Sequence, residues 1–227
     1  MSALEDAGPR LVDIDRDDAI AEALDTLHGT TRAGLFRGAL LGSAALLAAS
    51  AAPAAAAAGR RDEAILNYAL TLEYVQDSFY SEVERIGALT GGLAEQARIV
   101  GAHERAHVKS FREVLGSRAV KRPRFDFRGA TEDADAFRKT AVAFEDLAVA
   151  AYKAQAPLIQ RRAYLVPALA IHSVEARHAA WIRRLAGEVP AADAFDEPRS
   201  RRSTLAIVDD TNFIMRTRSR RKPKFTG

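Results

Sequence analysis

The sequence predicts an all-α protein, a four-helix bundle with one long crossover between its second and third helices. Three observations predict it. Alanine, leucine, glutamate and arginine dominate the composition, and these are good helix formers. Beyond Arg61, apolar residues recur mostly at three- and four-residue steps, broken by glycine or proline at only a few places. The breaks are short after the first and third stretches and long after the second.

The first helix carries Ile65, Leu66, Ala69, Leu72, Tyr74, Phe79 and Val83 on its apolar face. Gly87 is its expected C-terminal cap, and Thr90-Gly91-Gly92 reads as the following turn. The second helix runs to Leu115 and stops at Gly116. A polar, basic segment with Pro123 and Gly129 follows. Thr131 is the expected N-cap of the third helix, with Glu132 and Asp133 suiting its first turn. That helix runs to about Ala156, before Pro157. The fourth spans about Ala163 to Ala186, with Gly187 beyond it and Pro167 in its first turns. Short links make each consecutive pair an antiparallel hairpin. The 14 residues between Gly116 and Thr131 reach roughly 46 Å at about 3.3 Å per residue. A helix of about 25 residues is only about 38 Å long, so this connection can run the full length of the bundle.

The 227 residues suggest one domain with tails: an N-terminal segment 1–58, the bundle 59–197, and a basic tail 198–227. Charge divides the same way. The N-terminal segment has 4 Lys/Arg against 8 Asp/Glu, the bundle 20 against 20, and the tail 9 against 2. The high isoelectric point thus comes from the tail. There is no cysteine, which excludes disulfides, thiolate zinc sites and iron–sulfur clusters.

Residues 39–58, ALLGSAALLAASAAPAAAAA, follow Arg32 and Arg37 and offer several Ala-x-Ala sites. This pattern resembles an export signal with a long, twin-arginine-like leading region, although no Arg-Arg pair precedes the apolar run. Export to the periplasm or beyond is the expectation. A membrane anchor is the alternative, since about 20 apolar residues can span a bilayer.

Two Glu-x-x-His motifs occur, Glu104-Arg-Ala-His107 and Glu175-Ala-Arg-His178. Residues at i and i+3 share a helix face, so both side chains of each motif can meet one ion. Chance alone gives about 0.3 such motifs by template counting. The first and third helices each supply one mid-helix glutamate among apolar neighbours, Glu73 and Glu145. Glu73 precedes Glu104 by 31 residues and Glu145 precedes Glu175 by 30. In antiparallel hairpins, mid-helix positions meet at one level, so all six side chains can converge. Four carboxylates in one core repel strongly unless cations neutralise them. The expected site is therefore a two-metal centre of Glu73, Glu104, His107, Glu145, Glu175 and His178. A faint internal repeat supports it, because Tyr80 follows Glu73 by seven and Tyr152 follows Glu145 by seven. Tyr74, Tyr80 and Tyr152 are candidates to line the site or to donate to a carboxylate, with core packing the other reading. His103 points about 100° away from Glu104. It and His172 are expected beside the ligands or on the surface.

The stretches Ile-Leu-Asn-Tyr-Ala-Leu-Thr-Leu-Glu-Tyr (65–74), Ala-His-Glu-Arg-Ala-His (102–107) and Ser-Val-Glu-Ala-Arg-His-Ala-Ala-Trp (173–181) resemble the bacterial ferritin-like domain family that includes desiccation-related proteins. The order of ligands is similar to that of bacterioferritin and rubrerythrin. The resemblance implies a ferritin-like bundle with Glu104 and Glu175 as bridging carboxylates. It does not extend to haem, because Arg105 stands where bacterioferritin has a haem-binding methionine.

Carboxylates and imidazoles suit iron or manganese. With two iron ions, the expected chemistry is oxidation of Fe(II) or reduction of O2 or peroxide in stress defence, as a ferroxidase- or peroxidase-like oxidoreductase. The alternative is a non-enzymatic exported bundle that binds metal or scaffolds partners. Oligomeric state stays open. The basic tail suits an anionic envelope surface. Export argues against nucleic acid as its partner, and the bland expectation is a solvated, partly disordered tail.

Overall fold

The computed structural model describes residues 52–215, with side chains from Gly59 onward. Five helices follow one another: α1 (Ala52–Ile86), α2 (Gly91–Leu115), α3 (Ala134–Gln155), α4 (Arg162–Ala186) and α5 (Arg201–Asp210). The fold is all-α, with four long helices and no named strand among the described residues. Most of the segment with the features of an export signal lies outside the described residues. From Ala52 its alanine-rich end is already helical and continuous with α1, in keeping with the high helix propensity of alanine. Among the described residues no helix is long and apolar enough to cross a membrane.

The helix ends follow local chemistry. Gly87 and Gly187 adopt left-handed φ values of 69° and 79°, which glycine reaches without steric cost. Gly187 donates its amide to the carbonyls of Arg183 and Arg184, closing α4. At α3 the expected cap moves by two residues. Asp133 is the N-cap, and its carboxylate accepts from the amides of Asp135 and Ala136. Thr131 is instead fully buried, with its hydroxyl donating to Glu82 on α1 at 2.8 Å. The carboxylate next to the helix start outcompetes the hydroxyl, because it carries charge against the helix dipole.

α1 pairs with α2, and α3 with α4, as two antiparallel hairpins. The crossover, residues 116–133, then climbs along α1. Val120 donates its amide to Asn67 Oδ1 (2.7 Å), and its carbonyl accepts from Tyr74 Oη at 3.3 Å. Arg122 then pairs with Asp77 and donates to Ser78. Phe127 packs edge-on against Phe79, and Thr131 reaches Glu82. The partners on α1 therefore advance from 67 to 82 as the crossover advances from 120 to 131, a climb of about 22 Å at about 1.5 Å per helical residue.

Two apolar clusters fill the ends of the bundle. One surrounds Phe79, which stacks on Phe137 (centroids 5.5 Å apart) and meets Tyr80, Phe127 and Phe144 edge to face. The other collects Leu66, Leu70, Phe111, Leu115 and Ile171. Glu73, Glu104, Glu145 and Glu175 form a polar layer among these residues, all fully buried.

The basic tail departs from the expectation of a solvated segment as far as residue 215. Ser200 caps α5 by accepting from the amide of Ser203. α5 packs on α3, burying Thr204 and Val208. Phe213 then packs edge-on against Phe127 and Phe144. Phe125 and Ile214 form an antiparallel bridge, with Asp126 N to Phe213 O and Met215 N to Arg124 O both 2.9 Å. Val208, Phe213 and Ile214 thus hold the tail down as far as residue 215, while Arg199, Arg201 and Arg202 stay exposed. Burial of these apolar side chains outweighs the local charge.

Candidate metal centre

Each long helix brings part of the site to the same level: α1 carries Glu73, α2 Glu104 and His107, α3 Glu145, and α4 Glu175 and His178. Close approach of α1 and α2 here depends on Gly101, one turn before Glu104. A β-carbon at Gly101 would lie 3.0 Å from the β-carbon of Tyr80, so a larger residue would push the helices apart.

The carboxylates face the histidines through Nδ1. His107 Nδ1 lies 3.2 Å from Glu73 Oε2, 3.6 Å from Glu104 Oε2 and 3.2 Å from Glu175 Oε1. His178 Nδ1 lies 3.2 Å from Glu104 Oε1, 3.5 Å from Glu145 Oε2 and 3.8 Å from Glu175 Oε2. Glu104 and Glu175 each turn one oxygen to either histidine. Glu73 and Glu145 each serve one. Two overlapping groups result, Glu73/Glu104/His107/Glu175 and Glu104/Glu145/Glu175/His178, in each of which the donor atoms lie within 4.8 Å of one another.

The remaining oxygens of the outer glutamates are held by the tyrosines of the internal repeat, crosswise between hairpins. Tyr80 on α1 donates to Glu145 Oε1 at 2.6 Å, and Tyr152 on α3 donates to Glu73 Oε1 at 2.5 Å. Tyr74 plays no such part: its hydroxyl goes to the Val120 carbonyl, and Arg122 lies over its ring. Gln76 escaped the sequence reading as a site contact, whereas His103 takes the place beside the ligands that was one of its two expectations. Gln76 donates its amide to Glu145 Oε2 (3.2 Å) and Glu175 Oε2 (3.4 Å). His103 places Nδ1 2.9 Å from Nε2 of His178. Gln76 follows Glu73 by three, the i+3 spacing that marked the Glu-x-x-His pairs, so this signal was available. His172 stacks beside Tyr152, with ring centroids 6.5 Å apart.

Electrostatics show what this cluster demands. Burial pushes the Glu104 carboxyl well above its usual range, and the charges of Glu175 and Glu73 push it further. Burial likewise raises Glu145. Burial would raise Glu175 too, but His107 and His178 reverse this and leave it below the usual range. Burial alone would depress both histidines. The surrounding carboxylates overcome it, raising His107, chiefly through Glu73, and pushing His178 up to about 12. Burial, then the neighbouring glutamates, holds Tyr80 and Tyr152 well above the ordinary phenol value.

Both oxygens of Glu104, Glu175 Oε1 and His178 Nδ1 are buried with no hydrogen-bond partner of good geometry. Such groups are costly unless something satisfies them. Four carboxylates and two neutral imidazoles carry a charge of −4, which two divalent cations cancel. The residue set thus fits two cations of the kind bound by oxygen and imidazole.

The fold and the buried Glu/His layer define an all-α bundle compatible with a dimetal carboxylate centre. A family model described as the ferritin-like domain matches residues 61–188, more than half of the chain, and the protein belongs to that family. No curated protein matches the sequence. The match ends before α5, so the packed tail lies outside the matched region.

Proposed function

We propose that Glu73, Glu104, His107, Glu145, Glu175 and His178 bind two metal ions, iron in the first instance and manganese as the alternative, in an arrangement like that of bacterioferritin and rubrerythrin. The observation that carries this reading is the placement of Glu104 and Glu175, each with one oxygen toward either histidine. That is the geometry two bridging carboxylates require. Two ferrous ions held by these residues would supply two electrons, either to O2, which with two protons becomes hydrogen peroxide, or to peroxide, which with two protons becomes two waters.

This chain's own groups would serve that chemistry by position. Glu73 and His107 on one side, and Glu145 and His178 on the other, complete the two donor sets. Tyr80 and Tyr152 fix the outer glutamates so that one oxygen of each stays turned inward. Gln76 holds Glu145 and Glu175 together across the α3–α4 hairpin. The full burial of all four glutamates keeps bulk water out, which strengthens every interaction between these charges and a cation. The role in stress defence and the exported location belong to the same proposal. Export rests on the apolar run after Arg32 and Arg37, and mass spectrometry of the native protein showing a chain that still starts at Met1 would argue against a cleaved signal.

The first experiment is elemental analysis of the purified protein beside the double variant Glu104→Ala, Glu175→Ala. About two iron or manganese ions per chain, lost in the variant, is the expected result. Fe(II) oxidation by O2 and by peroxide is then compared with and without protein. Metal binding without acceleration would reduce the reading to a metal-binding or scaffolding bundle, and no binding after reconstitution would remove it.

A further inference from the structure

The two halves of the site are near-copies. Glu73, Tyr80, Glu104 and His107 correspond to Glu145, Tyr152, Glu175 and His178. The surroundings break this symmetry. The residue before Glu175 is Val174, where the residue before Glu104 is His103, and Ala148 stands at the position that matches Gln76. Both extra polar groups act on one half only. His103 meets His178 (Nδ1 to Nε2, 2.9 Å), and the rings lie nearly parallel, 14° apart with centroids 5.2 Å apart. Gln76 meets Glu145 Oε2 and Glu175 Oε2, the two oxygens that face His178. On the other half, the side chain of His107 is 12% exposed against 4% for His178.

From this asymmetry, and resting on the proposed dimetal site, we infer that the two positions are inequivalent. The His178 position binds the first metal ion, and His103 is the positioning residue that makes it the tighter one. The argument is one of tautomers. A neutral imidazole carries a single proton. When Nδ1 of His178 gives its lone pair to a cation, the proton sits on Nε2, and it has His103 Nδ1 as an acceptor in line at 2.9 Å. This bond fixes the ring plane before metal arrives and, once Nδ1 has given up its proton to the incoming cation, makes it a better donor while metal is bound. Gln76 adds to the effect by holding two oxygens of the same donor set in place. Among the described residues no such bond joins a second imidazole to His107, whose ring is oriented by the carboxylates of Glu73 and Glu175.

The test is a titration of metal-free protein with Co(II), followed by its visible absorption, and with Mn(II), followed by electron paramagnetic resonance. Wild-type protein should bind in two steps separated by roughly tenfold or more. His178→Ala should abolish the tight step, and His107→Ala should keep it and lose the weak one. His103→Leu should weaken the tight step by about ten- to a hundredfold and alter the Co(II) spectrum of the first equivalent. His103→Asn should restore the tight step, because asparagine Oδ1 occupies the place of histidine Nδ1 and accepts the same proton. A merely structural histidine would not give that rescue. Two steps of equal affinity in wild-type protein, or a tight step unmoved in His103→Leu and His103→Asn alike, would overturn the inference while leaving the dimetal site standing. Absence of any Co(II) or Mn(II) binding would instead overturn the site itself.

Discussion

Replacing Glu104 by glutamine separates the cost of this site from its use. Glutamine keeps the shape of a protonated carboxyl and cannot become an anion. Without metal, burial and the charges of Glu175 and Glu73 hold the Glu104 carboxyl well above its usual range, which favours its protonated form. Glu104→Gln in metal-free protein should therefore change stability by no more than about 1 kcal/mol. With metal the outcome differs, because Glu104 belongs to both donor groups. At free Mn(II) of about 100 times the dissociation constant, each occupied position adds about 2.7 kcal/mol, or roughly 5 kcal/mol for two. For a folded unit of this size that is roughly 10–20 °C in Tm. Calorimetry of both proteins with and without Mn(II) measures it. Wild type should show the full rise, and the variant little of it. A variant that kept the full rise would refute the sharing of Glu104. A metal-free variant destabilised by more than about 3 kcal/mol would show that the native carboxylate is charged and partnered.

The same experiment has a pH arm. Glu104 has a raised folded pKa, and so has His178, at about 12 against 6.5. A group raised on folding stabilises fully below its unfolded value, and that stability is lost as pH climbs toward the folded value. Metal-free wild type should thus lose stability as pH rises above about 4.5 through Glu104 and above about 6.5 through His178, by up to about 1.4 kcal/mol per pH unit for each extra proton held. Glu104→Gln should flatten part of that fall.

Metal affinity should run the opposite way and rise with pH, because both histidines must give up a proton from Nδ1 to bind a cation. Isothermal titration with Mn(II) in buffers of different ionisation heat will report that proton release. Tyr152→Phe leaves Glu73 Oε1 without its donor and should weaken Mn(II) binding by about ten- to a hundredfold, with Tyr80→Phe doing the same through Glu145. Asp133→Ala removes the cap of α3 and should lower stability by about 1 kcal/mol in urea unfolding. Val208→Asp puts an unpaired charge at a buried contact of α5 with the bundle. It should cost about 3 kcal/mol or more if α5 stays docked, or release α5 and speed tryptic cleavage at Arg201 and Arg202.

The helices were legible because their ends are marked by residues with few alternatives: Gly87, Gly116, Pro157 and Gly187. The six residues brought together in the centre were legible because a buried glutamate is conspicuous among apolar neighbours and the i+3 spacing fixes its companion histidine. Other features were set by tertiary contacts that leave little trace in local pattern. Thr131 reads as a cap until Glu82, 49 residues earlier, claims its hydroxyl. His103 reads as a neighbour of the ligands or a surface residue, and only the placement of His178 on α4 decides between the two. The tail reads as solvated because it carries nine Lys/Arg against two Asp/Glu, but Val208, Phe213 and Ile214 find a surface made by α3 and the crossover.

The crossover carries a consequence for how the centre is assembled. Each hairpin owns one outer glutamate and one Glu-x-x-His pair, so neither encloses a complete donor group, and each group borrows one glutamate from the other hairpin. As separate molecules the hairpins would have to meet by diffusion. Joined by 18 residues pinned along α1, they face each other at an effective concentration in the millimolar range or above. The connection converts what would be a concentration-dependent dimer of half-sites into a property of a single chain, and it frees the two halves to diverge: a histidine or a glutamine gained in one hairpin need not appear in the other.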